Sequence, residues 1–285
     1  MDGILMQKTE FPFEILLGED ASTDGTREIC IEYADKYPDK IRLFLHNREN
    51  VIYINGNPTG RFNLLYNLSS ARGKYIAICE GDDYWTDPYK LQKQVDFLEE
   101  NSEYGMISTD ITLIDEEGKA LEDNKTVLKQ RTNRKSEVTF FELLPFNYIN
   151  TLTTCIRADL LKELAKRVMD ENLWFVYDYW FWLQISLKAK IKISDEKTAA
   201  YRIHSGGVSR QKEHRLKMRA NSVYHAIKDF WSLQYNISGY KNYEPISKMI
   251  KSLLMNKYLT SSKKWDLLKI LSKMYFIKRI STLKK

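Results

Sequence analysis

The sequence predicts an α/β fold, with a mostly parallel (mixed) sheet flanked by helices and a helical C-terminal extension. Over the first hundred residues, short apolar runs typical of strands alternate three times with helical patterns, an order that predicts parallel strands covered by helices. Hydrophobic residues make up 43% of the 285 residues and aromatic residues 13%. This composition supports a packed core and excludes an intrinsically disordered chain.

Six alternating elements carry this prediction. They are a strand at Glu14–Leu17, a helix that ends near Tyr37, a strand at Ile41–Leu45, a helix at Arg61–Ser70, a strand at Tyr75–Cys79 and a helix at Lys90–Asn101. In the first helix, Ile29, Tyr33 and Ala34 share one face. Ser22 or Asp24 can cap its start. The five apolar residues of the third strand favour burial on both faces.

After residue 100 the pattern is more mixed. The predicted elements are strands at Met106–Ile111, Thr151–Ile156, Ile191–Ser194 and Thr198–Ile203, and helices at Ala158–Met169 and Tyr177–Ala189. The polar segment Glu116–Lys135 predicts a loop, and the tail is helical with a break at Asn236–Tyr243. We therefore expect an α/β domain over residues 1–209 and a helical extension over residues 210–285.

The charge is divided unequally between these two parts. Residues 210–285 contain 18 Lys and Arg and 4 Asp and Glu, a net charge of +14, whereas residues 1–209 contain 26 and 34, a net charge of −8. The basic tail mixes its charges with apolar residues, as in a helix that lies on an anionic membrane surface. A solvated helical face packed on the domain explains the same pattern. No nucleic-acid-binding motif accompanies the charge, so we expect no nucleic acid partner.

Three scattered cysteines, Cys30, Cys79 and Cys155, match neither a disulfide framework nor a CxxC metal motif. The sequence shows no secretory signal pattern and no apolar run long enough to span a bilayer. These observations predict a cytoplasmic location. Peripheral attachment to the inner face of the cell membrane, through the basic tail, is a hypothesis.

Two predicted strands end in clusters of acidic residues. Glu14–Leu17 runs into Glu19 and Asp20, and Tyr75–Cys79 runs into Glu80-Gly81-Asp82-Asp83. Ligands of open α/β sheets bind at the carboxyl ends of the strands, and crowded carboxylates need a cation or hydrogen-bond donors to offset their repulsion. Such oxygen atoms suit Mn²⁺ or Mg²⁺, which commonly bridge carboxylate and phosphate. The alternative is that each cluster only forms a turn.

Two segments resemble family 2 glycosyltransferases of the GT-A fold. They are EDASTDGTREI, which begins at Glu19, and ARGKYIAICEGDDYWTDPYKLQKQVDFLEE, which begins at Ala71. The resemblance covers residues 1–209, and the second segment is long and specific. It implies a Rossmann-like nucleotide-diphospho-sugar transferase fold and a metal-dependent, inverting enzyme of the hexosyltransferase type. The metal would offset the negative charge that builds on the leaving nucleoside diphosphate.

The resemblance also implies roles for single residues. Asp20 would contact the base or ribose of the nucleotide, Glu80 would lie near the ribose, and Arg72 near the nucleotide. Asp82 would bind the metal, with Asp83 as an acidic support beside it. The family usually has Asp where this chain has Glu80, so the carboxylate reaches one methylene further.

Two later segments complete the expected site. Asp178 lies at the start of an apolar helix, where the helix dipole favours the ionised form, and the resemblance implies that it removes the proton of the acceptor hydroxyl. Tyr177 replaces the first acid of the family's acidic pair. The segment Tyr201-Arg202-Ile203-His204 resembles the Tyr-Arg-x-His segment of the family, which implies that His204 approaches the pyrophosphate or the metal. Purely structural roles are the alternative for Asp178 and His204.

Family members open with a strand, a nucleotide-contacting loop and a helix, before the strand that corresponds to Glu14–Leu17. In this chain Met1–Gln7 already resembles the end of that helix, so the first strand is expected to be missing. Two hypotheses follow: the true start lies upstream, or the chain is a truncated, inactive remnant.

The sequence thus predicts transfer of a sugar from a nucleotide-diphosphate donor to a glycan or lipid-linked acceptor in cell-surface polysaccharide assembly. The resemblance to the family implies that the donor is a UDP-sugar. A catalytically inactive scaffold or binding protein is one alternative. A sugar-phosphate nucleotidyltransferase is the other, but such an enzyme would carry a glycine-rich phosphate loop near its start, and none is visible in the sequence.

Overall fold

The computed structural model describes residues 1–54, 56–123, 134–173, 178–204, 212–235 and 244–283, without the side chains of residues 57, 212, 214, 234, 235 and 276–283. Within this range the chain forms two compact units. The first consists of Met1–Glu137, Ile149–Trp174 and Ala189–His204, and the second of Val138–Tyr148, Phe175–Lys188 and Ser205–Lys285. The expected domain boundary between residues 209 and 210 stays a prediction. The predicted break at Asn236–Tyr243 and most of the predicted loop at Glu116–Lys135 lie outside the described residues.

Helices and strands alternate along the described chain. The helices are α1 (Asp2–Leu5), α2 (Thr26–Lys36), α3 (Arg61–Ser70), α4 (Lys90–Glu100), α5 (Phe140–Leu143), α6 (Ala158–Asp170), α7 (Asp178–Lys188), α8 (Lys212–Tyr235), α9 (Glu244–Leu254) and α10 (Ser261–Leu283). The strands are β1 (Ile15–Glu19), β2 (Ile41–Leu45), β3 (Ile52–Ile54), β4 (Asn57–Thr59), β5 (Tyr75–Ala77), β6 (Tyr84–Trp85), β7 (Tyr104–Ile114), β8 (Glu137–Val138), β9 (Thr154–Arg157) and β10 (Lys190–Arg202). Among these helices none is both long enough and apolar enough to cross a bilayer.

The first unit contains a mixed sheet, as predicted, but most of its strand pairs are antiparallel and not parallel. Its strand order is β5-β9-β7-β10-β6, with β7 and β10 parallel at the centre and antiparallel pairs on either side. Strands β1 and β2 pair in parallel as a separate two-stranded sheet, and β3 and β4 form a short hairpin. The α/β class predicted from the alternation of elements is therefore confirmed.

The core of the first unit lies between the central strands and α4. Ile111 and Leu113 on β7 and Ala199 on β10 pack with Trp85 and Leu91, and all five are at most 7% exposed. Leu98, which is fully buried on α4, packs against the other end of the sheet. This packing fixes α4 and β6 on the sheet, and the segment before β6 carries the second acidic cluster.

Several predicted elements differ from the observed ones. Ile29, which shares a helix face with Tyr33 and Ala34, is 53% exposed, and Cys30 is the residue of α2 that is buried. Strand β5 ends at Ala77 and is only half-buried, since it pairs with β9 alone at the edge of its sheet. The strands expected at Ile191–Ser194 and Thr198–Ile203 form one strand, β10, which contains register shifts.

The second unit is helical, and its helix α7 is rich in apolar and aromatic residues. Tyr179, Trp180 and Trp182 on α7 are at most 2% exposed. The Tyr179 hydroxyl donates to the carbonyls of Leu143 and Leu144 at 2.6 and 2.8 Å. These aromatic residues therefore belong to the core of the unit.

Candidate functional site

The turn at residues 80–83 lies between β5 and β6, and β6 fixes its position. Strand β6 pairs antiparallel with β10, so that Trp85 lies opposite Ala199. The Trp85 side chain is buried, and its indole N–H donates to the carbonyl of Leu152 at 2.8 Å. Because of this pairing, the acidic turn lies beside the C-terminal end of β10, where Arg202 is the last residue of the strand.

Asp82 and His204 are in direct contact. His204 lies two residues after the end of β10, and its Nε2 is 3.0 Å from Oδ2 of Asp82. The Asp82 side chain is 47% exposed and the His204 side chain 29% exposed, so a ligand can reach both. The structure thus brings together the two residues that the sequence assigns to the metal.

Arg202 ties the acidic turn to the ends of β7 and β10. Its main-chain N–H donates to Oδ1 of Asp83 at 2.8 Å, and its Nε–H donates to the carbonyl of Asp82 at 3.0 Å. Its Nη1 donates to the carbonyls of Asp115 and Glu116, at 3.0 and 2.6 Å, in the turn after β7. One guanidinium group therefore fixes the main chain that carries Asp82. Arg202 belongs to the Tyr-Arg-x-His segment, but the sequence motif alone indicates no role for it.

Asp83 points into the protein, whereas Glu80 and Asp82 are exposed. Burial, with a smaller contribution from the charge of Asp82, raises the pKa of Asp83 to about 7, although the hydrogen bond from Arg202 lowers it. The main-chain N–H of Asp83 donates to the carbonyl of Glu80 at 3.2 Å and closes the turn. This inward orientation fits a supporting residue, and it leaves Glu80 and Asp82 as the outward-facing acids.

Asp20 directly follows β1 and has a buried oxygen that is not satisfied. Within the described part of the chain, its Oδ1 is buried and has no hydrogen-bond partner. Burial raises the pKa of Asp20. A buried carboxylate oxygen of this kind is stabilised by a donor that a ligand brings, and a ribose hydroxyl or a base N–H would serve. The geometry fits the contact that the resemblance implies for Asp20.

The neighbouring acid, Glu19, has a structural role that no sequence motif indicates. Its side chain is buried and forms an ion pair with Arg27, and it also accepts the main-chain N–H of Ser22 at 2.5 Å. Burial alone would raise the pKa of Glu19, but the hydrogen bonds from Ser22 and Arg27 outweigh it, and the pKa is lowered. Arg27 also donates to the carbonyl of His46 at 2.6 Å, so this ion pair joins β1, α2 and the end of β2.

Arg72 lies before β5 and is engaged with Glu14. Its main-chain N–H donates to Oε1 of Glu14 at 2.8 Å, and its Nε lies 3.3 Å from Oε2 of Glu14. The Arg72 side chain is 70% exposed, and Glu14 also accepts Nη1 of Arg42 at 2.9 Å. The expected contact of Arg72 with the nucleotide stays a prediction.

Asp178 is the first residue of α7, in the second unit. Its Oδ1 accepts the main-chain N–H of Tyr179 at 2.7 Å, as expected for an acid at a helix start. Tyr177 lies outside the described residues. The expected role of Asp178 as a base stays a prediction.

The donor atoms at the acidic turn fit a divalent cation that a diphosphate shares. Within the described residues, no group of three or more His, Cys, Asp or Glu side chains is arranged to hold a metal ion. Mg²⁺ and similar ions are nevertheless held by one or two carboxylates together with substrate phosphates and water. Asp82 and His204 offer one carboxylate oxygen and one imidazole nitrogen at a single exposed position, so the two residues fit such a shared site.

Comparisons with known proteins agree with this architecture. The family model described as glycosyl transferase family 2 matches residues 1–158. An uncharacterized protein of Mycobacterium tuberculosis is 33% identical over 73% of this chain and 55% of its own length. The UDP-Glc:alpha-D-GlcNAc-diphosphoundecaprenol beta-1,3-glucosyltransferase WfaP of Escherichia coli is 26% identical over 76% of each chain. The chain thus spans about half the length of the first of these relatives.

A solved structure shows the same fold. It is the mannosyltransferase PcManGT of Pyrobaculum calidifontis, in complex with GDP-Man and Mn²⁺, which aligns with a TM-score of 0.58 over 95% of this chain and 68% of the other at 16% identity. At that identity the likeness concerns the fold alone. Since the family model covers more than half of the residues and the fold agrees, the chain belongs to glycosyl transferase family 2 and has the GT-A fold.

Proposed function

We propose that the chain transfers a sugar from a nucleoside-diphosphate donor, a UDP-sugar, to a glycan or lipid-linked acceptor in cell-surface polysaccharide assembly, with inversion at the sugar. The contact between Asp82 and His204 at the end of the central sheet carries this proposal, because it presents an oxygen and a nitrogen ligand at one exposed point. The donor named for the E. coli relative, UDP-Glc, and its diphospholipid-linked acceptor support the choice of donor and acceptor classes.

The residues of the donor side hold and orient the nucleotide. Asp82 and His204 would hold Mn²⁺ or Mg²⁺, which when bound offsets the charge of the leaving diphosphate. The unsatisfied oxygen of Asp20 would accept a hydrogen bond from the base or ribose. Glu80 reaches the ribose and Arg72 the nucleotide, while Asp83 and Arg202 fix the turn that carries Asp82.

Asp178 is the proposed base on the acceptor side. A carboxylate at the first turn of a helix is kept ionised by the helix dipole, so it can take the proton of the attacking hydroxyl. Replacement by Asn keeps the shape of the side chain and removes its basicity. Asp178→Asn is therefore expected to lower kcat by roughly a hundredfold to ten-thousandfold and to leave donor binding unchanged.

Calorimetry with UDP, in the presence and absence of Mn²⁺, tests the donor side. Wild-type protein should show heat of UDP binding that depends on Mn²⁺. Asp82→Asn should weaken Mn²⁺ binding in the UDP complex by roughly a hundredfold, the upper end of the loss when residues that orient a metal ligand are removed. Asp96→Asn, the same change at an exposed position on α4, is the matched control and should behave as wild type.

A hydrolysis screen across UDP- and GDP-sugars then identifies the donor. UDP binding without any dependence on Mn²⁺ would contradict the metal site. A complete absence of binding and of donor hydrolysis would favour the non-enzymatic scaffold instead.

A further inference from the structure

Helix α10 has two faces of different character. Leu267, Ile270, Leu271 and Met274 form one face, and each is at most 9% exposed, so this face holds the helix in the second unit. A second face, next to the first, carries large side chains that are partly exposed: Trp265 is 61% exposed, Leu268 40% and Tyr275 50%. The packing of α10 in the second unit therefore does not depend on the exposed side chains.

The three exposed side chains lie along one side of α10, in a row that we call the aromatic stripe. Trp265, Leu268 and Tyr275 are separated by three and seven residues, a spacing that places them along one side of a helix, and the exposed Ser272 fills the gap. Scattered exposed apolar residues are ordinary, but an ordered row that combines Trp, Leu and Tyr is typical of a contact surface.

Lysines flank the aromatic stripe on both sides. At 100° per residue, Lys264 lies beside one edge of the row, and Lys269 and Lys273 lie beside the other. The residues around them add to the same sign, because residues 210–285 have a net charge of +14. A partner that covers this face must therefore accept apolar rings and be negatively charged.

We propose that the aromatic stripe and its flanking lysines bind an anionic membrane surface. Trp and Tyr favour the boundary between headgroups and acyl chains, where an amphipathic helix lies in the plane of the membrane. Lysines next to such a face attract anionic headgroups. The inference rests on the proposed function for its purpose, which is to reach a lipid-linked acceptor.

Vesicle co-sedimentation of the full chain tests this surface, with phosphatidylcholine vesicles that contain or lack phosphatidylglycerol. Replacement of Lys264, Lys269 and Lys273 by Gln should weaken binding to the anionic vesicles by about fivefold for each lysine, about a hundredfold in all. Replacement of Lys8, Lys36 and Lys40 by Gln removes the same charge from exposed positions of the first unit, and it should have little effect. Trp265→Ala should weaken binding by about tenfold, whereas Leu233→Ala, at a 46% exposed position on α8, should not.

Tryptophan fluorescence gives an independent readout. Trp85, Trp180, Trp182 and Trp231 are each at most 9% exposed, so Trp265 is the exposed one among the tryptophans with described side chains. Anionic vesicles should shift the emission of wild-type protein to the blue, and Trp265→Phe should lack most of that shift.

Three outcomes would overturn the inference: equal binding to neutral and anionic vesicles, equal losses in the two lysine triples, or a Trp265→Ala effect that appears as loss of self-association in sedimentation velocity. The last outcome would assign the stripe to a second copy of the chain. None of these measurements uses a sugar donor, so an inactive donor site leaves them unchanged.

Discussion

Arg202 is the residue on which the geometry of the acidic turn depends. Its planar guanidinium donates to main-chain carbonyls of residues 82, 115 and 116, while its main-chain N–H holds Asp83. A lysine has the same charge, but its three donors radiate from one nitrogen atom, so it cannot reproduce the planar fork with which Arg202 reaches Asp82 and the turn after β7 together. Arg202 is thus a positioning residue that acts through the turn.

Arg202→Lys is expected to loosen the turn and to weaken Mn²⁺ binding in the UDP complex. The loss should be about tenfold to a hundredfold, as for other residues that orient metal ligands. Electron paramagnetic resonance of free Mn²⁺ in the presence of UDP measures it without any turnover.

Arg157→Lys is the matched control for this change. Arg157 also donates to main-chain carbonyls, those of Tyr104 and Leu98, at a distance along the chain from the acidic turn. The control should lower the stability of the fold but leave Mn²⁺ binding of the folded protein unchanged. Equal losses of Mn²⁺ binding in both variants would show that Arg202 acts through general stability.

Sequence motifs predicted the acidic residues of the site better than the residues that hold those acids in place. Asp82 and His204 could be singled out because each belongs to a short motif that resembles the family. Arg202 acts through main-chain carbonyls, and every residue has a carbonyl, so its partners leave no pattern in the sequence. Glu19 was grouped with Asp20, because only the fold shows that Arg27 neutralises one and not the other.

Lys90 is a fully buried cation in the core beside the site. Its Nζ donates to Oε1 of Gln94 at 2.7 Å and lies 4.3 Å from the centre of the Trp85 ring. These contacts only partly replace water, so burial lowers the pKa of Lys90 from its ordinary 10.5 to about 8.

The stability of the protein should therefore depend on Lys90 above neutral pH. Below pH 8 the Lys90 side chain is protonated in both the folded and the unfolded chain, so the full free-energy cost of burying its charge lowers the stability of the fold. Between pH 8 and 10.5 only the folded chain loses this proton, so Lys90 adds roughly 3 kcal/mol in all to the free energy of unfolding. Urea unfolding of wild type and of Lys90→Met across this range measures this contribution as the difference between the two curves, which removes the opposing effect of Cys79 and Cys155, whose thiol pKa values are raised by burial.

Lys166→Met is the control for this titration. Lys166 is exposed and pairs with Asp170 on the same helix, so its removal should leave the curve parallel to that of wild type up to pH 10 or so. A wild-type curve parallel to that of Lys90→Met would mean that Lys90 titrates as an ordinary lysine.

Among the elements, β1 and α3 lie close together at Gly18. A Cβ atom at Gly18 would lie 1.6 Å from Oδ1 of Asn63 on α3. Asn63 in turn donates to the carbonyl of Gly18 at 2.8 Å, and Asn67 donates to Asn63 at 3.1 Å. Because Gly18 is two residues before Asp20, this contact also fixes the end of β1 at the candidate nucleotide contact.

Gly18→Ala is expected to destabilise the protein by about 1–3 kcal/mol, since Asn63 must move and its hydrogen bond to β1 is lost. Urea unfolding measures this change. Gly60→Ala serves as the control, because a Cβ atom at Gly60 meets nothing within 4 Å. A similar free energy of unfolding for the two variants would show that α3 accommodates the added methyl group without loss of stability.

Element type was easier to predict than element length. Helix α3 and strand β2 have the bounds that the sequence predicts. Strand β6 was missed, since two residues are too few to show a period. Strand β10 was divided in two, because its polar residues 195–197 interrupt the pattern while the strand continues through register shifts.

At the scale of the whole molecule, the second unit draws on three separate stretches of chain. Helices α5 and α7 belong to it together with α8, α9 and α10. Phe140 on α5 stacks on Phe230 on α8 at 5.1 Å, and Gln184 on α7 donates to Asp229 at 2.9 Å. The sequence could not predict this grouping, because periodicity shows which face of a helix is apolar but not which helix covers it.

A chain that ends at Ser209 should therefore fold poorly. It would keep α7, whose Trp180 and Trp182 are buried, but lack the helices that complete its unit. We expect this shortened chain to aggregate and to bind an apolar dye, in contrast to the full chain. A monomeric shortened chain with one cooperative unfolding transition would instead support a domain boundary at residue 209.

The discontinuous second unit also sets an order of events during synthesis. The ribosome delivers α7 well before α8, so this apolar helix waits for its partner while about 50 more residues are made, roughly 2–10 s at ordinary rates of translation. Throughout that interval the nascent chain exposes an aromatic surface to which a ribosome-associated chaperone can bind. Faster translation of the roughly 50 codons between α7 and the end of α8 would shorten the exposure, and pausing there would lengthen it.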